Sequence, residues 1–456
     1  MKDSTPKTWT AGTLTYTTAG LIALFGWLLW GDFSWSMKER AVIPVATLMV
    51  RSFGISDFAY GLLIVSFTNL TNIFLMPIVS YRSDRYRSKL GRRIPYLLKT
   101  TPFIVIGLFG LGMTPMLGGW LQGVIGAEHI SYNMSALIVF GVFWALLDFG
   151  TTLSNAIFMA LTNDVVPARL IGRFMGLFRA TSLLCAVFFN YFLLGHAEAW
   201  SKAIFIGLGI LYGSGLGLMC LKIKEGEYPP PEQPTDESRG WIGAVKNYFS
   251  ECFSLPYYRW VLAALTICIM SVVPFNVYAI FYAKSIGMEM GDFGKLYAMI
   301  FAIAFITSYT MGSLADRFHP IRMGMISMGV LMGVMLVGGF FATSIKSFSI
   351  VFVCEGVSIM AFNTLIASYG QRLYPRELFA QFNSATLMMQ GLGCVVLAPL
   401  VGKYLDLTGN HYNHVFFIGS AIALAGLISL LVVYRHFQQL GGDENYQAPA
   451  PLGENA

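Results

Sequence analysis

Twelve apolar runs, each close to the length that crosses a bilayer, decide most of what this chain can fold into. A helix needs about 20 residues to cover a hydrocarbon core about 30 Å thick. Runs of that kind lie at 20–49, 58–80, 93–117, 135–162, 171–195 and 201–222, and then at 257–284, 292–315, 322–343, 347–372, 378–405 and 414–435. Hydrophobic residues fill 55% of the 456 positions and charged ones only 12%, far from the balance of a soluble domain. The chain reads as an all-α integral membrane protein with twelve transmembrane helices.

The formal net charge of +6 is concentrated on one side. Arg82, Arg85, Arg87, Lys89, Arg92 and Arg93 follow the second run, and Arg169, Arg173, Lys222, Lys224, Arg317, Arg322, Arg372 and Arg376 follow later even-numbered ones. The opposite loops carry little beyond Arg51, Lys202, Lys284, Lys295, Lys346 and Lys403. Short basic loops mark the cytoplasmic face, so both termini are expected inside, in a multi-pass protein of the plasma (inner) membrane. Membrane lipid surrounds such a chain, and no nucleic-acid partner is indicated. The first run is longer than a signal segment and lacks a small-residue cleavage site, so it reads as a retained helix.

Cys185, Cys220, Cys252, Cys268, Cys354 and Cys394 are scattered without C-x-x-C spacing, which implies no disulfide or metal framework. His129, His196, His319, His411, His414 and His436 all lie in loops or near helix ends. No intramembrane metal pair or histidine-based catalytic group is visible, so an enzyme is not expected. A short re-entrant filter is also lacking, which argues against a channel.

The polar, proline-rich stretch "KIKEGEYPPPEQPTDESRG" divides the runs six and six. The expected organisation is a six-helix half at 1–222, a cytoplasmic linker at 223–256, a second half at 257–436 and a disordered cytoplasmic tail at 437–456. Within the linker, Trp241, Val245, Tyr248, Phe249 and Cys252 recur at helical spacing, which suits a short helix lying on the membrane surface. The halves echo each other. "SYRSDRYRSKLGRR" follows the second run and "GSLADRFHPIR" the eighth, which places Asp84-Arg85 and Asp316-Arg317 equivalently. "VPARLIGRF" and "YPRELFAQF" match likewise, aligning Pro167 with Pro375. An internal repeat of this kind is expected of a secondary transporter with pseudo-symmetric halves.

The first run interrupts its own hydrophobicity with Asp32, Lys38, Glu39 and Arg40. The apolar pieces on either side are too short to span alone, so the charges lie within the membrane helix. An ionised side chain at the bilayer centre costs roughly 2.5–3.5 kcal/mol to insert, so all four must be paired or face water. At 100° per residue Asp32 and Glu39 differ by about 20° and lie about 10 Å apart along the helix, flanked by Ser36 and Arg40, while Lys38 points elsewhere. Asp32 and Asp148 of the fourth run fall at similar depth, near the midplane. Asp32, Glu39 and Asp148 are therefore candidates for coupling to a cation. The alternative role for the aspartates is an ion pair with Arg40, Lys38 or Arg179 that only fixes helix packing.

The paired loops and the six-plus-six pattern resemble the major facilitator superfamily over essentially the whole chain. Its loop motif is matched by Asp84, Arg85, Gly91, Arg92 and Arg93, and in reduced form by Gly312, Asp316, Arg317 and Arg322, with Ser80 where the first copy has glycine. Within that superfamily, "SDRYRSKLGRRIPYL" and Gly31-Asp32 look most like the glycoside-pentoside-hexuronide:cation symporters, the relatives of melibiose permease and of sucrose transporters. That resemblance implies the major facilitator fold, alternating access, and symport of a small polar solute, a sugar or glycoside, by a monomer without a cofactor. Asn72 and Met76 stand where those relatives carry the acids of a sodium site. The transported cation is thus expected to be a proton rather than sodium, with uncoupled facilitation as the open alternative.

Sugar sites combine polar side chains with aromatic faces, here between the two halves. The candidates are Trp35, Arg40, Asn69, Asn72, Trp144, Asn155 and Arg179 in the first half, and Asn276, Tyr278, Tyr282, Glu355, Asn363 and Gln390 in the second. Pro274 is expected to break the seventh helix. Asp84 is expected to accept backbone amides at the start of the eleventh helix near Leu378, with Asp316 mirroring it at the fifth, as a cytoplasmic gate. The competing readings are a proton-coupled antiporter or exporter of another small molecule and a substrate receptor with a transporter fold. The antiporter signature of the superfamily is not present in "FMGLFRATSLLCAVFFNYFLLG".

Overall fold

The computed structural model describes residues 8–167, 170–227, 249, 252–375 and 378–449, less the side chains at 76–82, 84, 85, 156, 172, 309, 316, 380 and 444. Each apolar run becomes a helix. They are α1 (Thr18–Ser52), α2 (57–85), α3 (Ile94–Ile125), α4 (Tyr132–Val165), α5 (171–196), α6 (Ser201–Lys222), α7 (Pro256–Ser285), α8 (Met290–Phe318), α9 (Pro320–Phe341), α10 (Ile345–Leu373), α11 (Phe379–Leu407) and α12 (His414–Gln439). Among the described residues, eleven spans are long and apolar enough to cross a membrane. The charged middle of α1 sets it apart, and its 35 residues make it the twelfth.

Local chemistry sets the boundaries. The Thr17 hydroxyl accepts the amide of Gly20 to start α1, and the Ser131 hydroxyl accepts that of Met134 to start α4. The helical hydrogen bonding of α7 breaks at Ser271 and Val272, just ahead of Pro274, which lacks the amide that would continue it. One element departs from an all-helical chain. Trp9–Ala11 (β1) pairs antiparallel with Leu14–Tyr16 (β2), turning at Gly12 with φ +56°. The Thr13 hydroxyl in that turn accepts the amide of Glu227, so the hairpin holds the start of the linker. The surface helix expected in the linker lies largely outside the described residues.

The chain forms two compact units: described residues 8–55 and 71–227, and residues 56–70 with those from 249 onward. The expected boundary near 222 is therefore incomplete, because the start of α2 joins the second unit. The reason lies in its contacts. The Asp406 carboxylate at the end of α11 accepts the amides of Asp57 and Phe58, both at 2.9 Å. Tyr412 donates to the Asp57 carboxylate at 2.9 Å, and the Ser66 hydroxyl donates to the carbonyl of Val395 at 2.7 Å. A Cβ on Gly61 would meet the backbone of Pro399 and the Tyr278 hydroxyl, so only glycine allows this approach. Asp406 acts as a charged cap on a helix N-terminus. Asp406→Ala is expected to cost about 1–2 kcal/mol, read as a lower thermal-unfolding midpoint in detergent, with Asp406→Asn recovering part of it.

The tail from 437 is ordered up to 449, against expectation. After α12 a short turn, Gly442–Asn445 (α13), turns the chain back. Asp443 pairs with Arg322 at 2.7 Å. The Tyr446 hydroxyl donates to the carbonyl of Leu373 at 2.7 Å and lies 2.9 Å from the Tyr257 hydroxyl, while Tyr258 donates to the carbonyl of Pro449 at 2.6 Å. Its polar composition suggested disorder, and two tyrosine-based anchors and one ion pair override it.

His319, between α8 and α9, sits against this tail with its ring 4.5 Å from that of Phe437. Its Nδ1 accepts the amide of Ile321, which requires an unprotonated nitrogen. Burial holds its pKa down at about 4, with Asp443 opposing and Arg372 and Arg322 reinforcing. The unfolded chain therefore takes up this proton first, near pH 6.5. The contribution of His319 to stability is complete above that value and is lost as pH falls towards about 4. The melting temperature of wild type is expected to drop over this window more than that of His319→Asn, whose amide oxygen keeps the cap without titrating.

Candidate functional site

The first unit is organised by close approach of α1 to α6. A Cβ on Gly31 would overlap Met219, and one on Gly215 would overlap Ser34, so both glycines are required by packing. This contact fixes the direction of the charged turns that follow Gly31.

Asp32 is completely buried. One carboxylate oxygen accepts the Ser36 hydroxyl one turn on at 3.2 Å, and the other has no hydrogen-bond partner among the described residues. A carboxylate left with a single hydrogen bond in this setting is costly, and a proton or cation on it removes the cost. Arg40, two turns along α1, donates from Nη2 to the Ser182 hydroxyl of α5 at 3.0 Å. Arg179, three residues before Ser182 and on the same side of α5, is exposed.

Lys38 turns the other way, as its helical phase requires. Its side chain is 3% exposed, and Nζ lies 3.5 Å from Glu39 Oε2 and 3.4 Å from the Thr151 hydroxyl of α4. It also lies 4.0 Å from the centre of the Trp35 ring and 5.7 Å from that of Tyr212 on α6. Asp148 is close enough to attract it electrostatically. Asp32 and Asp148 thus belong to different clusters, Asp32 with Ser36 and Asp148 with Lys38. Glu39 is 53% exposed and pairs with Lys38 rather than continuing the Asp32 site.

Several other candidates have their polar groups committed. Tyr278 is fully buried and donates to the carbonyls of Ala398 and Asp57, and Tyr282 donates to that of Ala342. Both hydroxyls serve helix packing in the second unit, on carbonyls of α11, of the start of α2 and of the end of α9. The Asn69 amide returns to the carbonyl of Val65, and Asn72 accepts the Thr152 hydroxyl. Trp144 is buried and stacked on Phe140. Asn155, Asn276 and Asn363 are exposed, and Gln390 is half-buried. Glu355 is 1% exposed near the middle of α10, with Oε1 unpartnered among the described residues.

The basic loop after α2 has a structure that its sequence did not reveal. Arg92 forms a two-pronged pair with Asp164 at 2.7 and 3.1 Å, and Arg93 joins the same carboxylate at 3.3 Å. Arg93 also donates to the Ser83 hydroxyl at 2.5 Å. Glu225, just after α6, accepts the amides of Arg92, Arg93 and Ile94 at the start of α3. Gly91 has φ +100°, and a Cβ there would overlap Glu225. Arg92 and Arg93 are therefore bound within the first unit. The side chains of Asp84, Arg85 and Asp316 lie outside the described residues. Arg317 is exposed, its guanidinium 5.2 Å from the Phe318 ring, and Arg322 is engaged by Tyr434 and Asp443.

The fold has known counterparts. The sequence matches the Major Facilitator Superfamily over residues 22–398. The chain belongs to that superfamily, and is a multi-pass secondary transporter of a small molecule, not an enzyme. No curated protein matches by sequence. Among solved structures, it is similar to a D-xylose-proton symporter, with 13% identity, 96% of this chain and 98% of that one covered, and a TM-score of 0.63. A POT family transporter in complex with a thioalcohol-conjugated peptide shares 14% identity, 93% and 97% coverage and a TM-score of 0.65. A bacterial homologue of the iron transporter ferroportin in an inward-facing state gives 13%, 91%, 99% and 0.63. At such identities the likeness is one of fold.

Proposed function

We propose that this transporter is a proton-coupled symporter of a sugar or glycoside, working as a monomer by alternating access in the plasma (inner) membrane with both termini in the cytoplasm. The observation that carries the coupling is Asp32: a buried carboxylate in the middle of a membrane helix, with one oxygen lacking a hydrogen-bond partner among the described residues. Proton occupancy there changes a full charge into a neutral acid, which is the differential energy needed to bias two states. The solute class rests on the resemblance of "SDRYRSKLGRRIPYL" and Gly31-Asp32 to the glycoside-pentoside-hexuronide:cation symporters. Arg40, Arg179, Asn155, Asn276 and Asn363 retain side chains accessible to solvent that suit hydroxyl recognition. Asp84 and Asp316 are assigned to the cytoplasmic gate, with Arg92 and Arg93 holding the loop in shape.

The test is uptake of a panel of labelled sugars and glycosides into proteoliposomes under an imposed pH gradient, with and without sodium. Accumulation of one solute driven by the gradient and indifferent to sodium is the expected result. Accumulation that follows sodium, or none for any sugar with folded protein, contradicts it.

A further inference from the structure

Lys38 has no part in the coupling or solute site just proposed, yet the fold spends several groups on it. Four side chains from three helices surround its ammonium: Glu39 and the Trp35 ring from α1, Thr151 from α4 and the Tyr212 ring from α6. Asp148, one turn before Thr151 on the same side of α4, adds electrostatic attraction. Packing alone does not call for this arrangement. An ion pair that only joined helices would need one carboxylate, whereas here an acid, a hydroxyl and two aromatic faces converge, with a second acid acting electrostatically. Oxygen ligands with flanking π-faces are the donor set that suits a small monovalent cation.

The ammonium is delivered from α1 on its own four-carbon stem, and only 3% of the side chain reaches the surface. It is thereby a cation that can neither dissociate nor exchange. We propose that Lys38 is a tethered cation that fills a monovalent-cation site formed by Glu39, Asp148 and Thr151 beside Trp35, and that it excludes free sodium from this transporter. The mechanistic meaning rests on the cation-coupled reading of the first unit, but the site itself does not. Removing the ammonium takes one positive charge away from Glu39, Thr151 and Asp148 and opens a space the size of the lost head group. A free cation then has both the room and the electrostatic reason to enter.

The experiment is thermal unfolding of purified full-length Lys38→Ala in detergent, titrated with methylammonium, sodium or potassium chloride. Choline chloride at matched ionic strength is the control. The expected result is a saturable upward shift of the midpoint by several degrees with methylammonium or an alkali cation, absent with choline and absent in wild type. Lys38→Arg, which keeps the tethered charge, should behave as wild type. A folded Lys38→Ala indifferent to every small cation overturns the proposal, and so does an equal shift in wild type.

Should Lys38→Ala not survive purification, Lys38→Met keeps the stem and drops only the charge. Its lost stability should then be partly restored by a second change, Glu39→Gln, because one unbalanced acid is removed. No restoration overturns the proposal. None of these readouts uses transport, so a failure of proton-driven sugar uptake and a failure of the cation site are separately visible.

Discussion

Asp32→Asn is expected to abolish uphill transport while leaving exchange intact. One pH unit across the membrane carries about 1.4 kcal/mol per proton, enough for roughly tenfold accumulation of a solute coupled one to one. The asparagine keeps the size of the side chain and can still accept the Ser36 hydroxyl, which donates to Asp32 at 3.2 Å in wild type. It cannot take up a proton, so the accumulation ratio falls to about one at any gradient. Solute-for-solute exchange, which needs no net proton movement, should continue at a comparable rate. Uptake assayed in both modes on the same vesicles separates loss of coupling from loss of folding.

Asp164→Ala is expected to have the largest effect on stability. This carboxylate holds Arg92 and Arg93, which are 19% and 7% exposed, and is itself 15% exposed. Removing one member of a buried ionic group takes the counter-charge from the others, at about 3–5 kcal/mol for full burial. Partial access to water reduces this to about 2–4 kcal/mol. Arg93 keeps the Ser83 hydroxyl, which does not replace an opposite charge. Asp164→Asn should be nearly as damaging as Asp164→Ala, because the loss is of charge rather than shape. Glu225→Ala should cost less, since the amides it caps at the start of α3 can turn to water. Thermal unfolding of the four proteins side by side checks the ranking.

The parts of this molecule that were legible in its sequence are those with a short range. Runs of about 20 apolar residues become helices because lipid leaves the backbone no other way to bond. The contact of Asp32 with Ser36, four residues on, follows from helical phase alone. Pro274 foretold the break in α7 for an equally local reason.

What stayed hidden depends on partners far along the chain. Asp164 and Glu225 lie 72 and 133 residues from Arg92, and nothing in the basic loop names them. The available signal was the position of each acid at the C-terminal end of an apolar run. Tyr278 and Tyr282 have the composition of a sugar site, but their hydroxyls are spent on backbone carbonyls. The phase of Lys38 on α1 points away from Asp32. That same phase delivers it to Thr151 and Asp148. The start of α2 joins the second unit through Asp406, which no pattern of hydrophobicity predicts.

The central claim is that solute and proton move together through Asp32. It is tested most directly by adding solute to lightly buffered proteoliposomes with no ion gradient and recording external pH. Solute entering down its own gradient should carry protons inward, so the medium turns alkaline with wild type and stays unchanged with Asp32→Asn. Entry of solute without any pH change in wild type, or an undiminished change in the variant, would contradict the account.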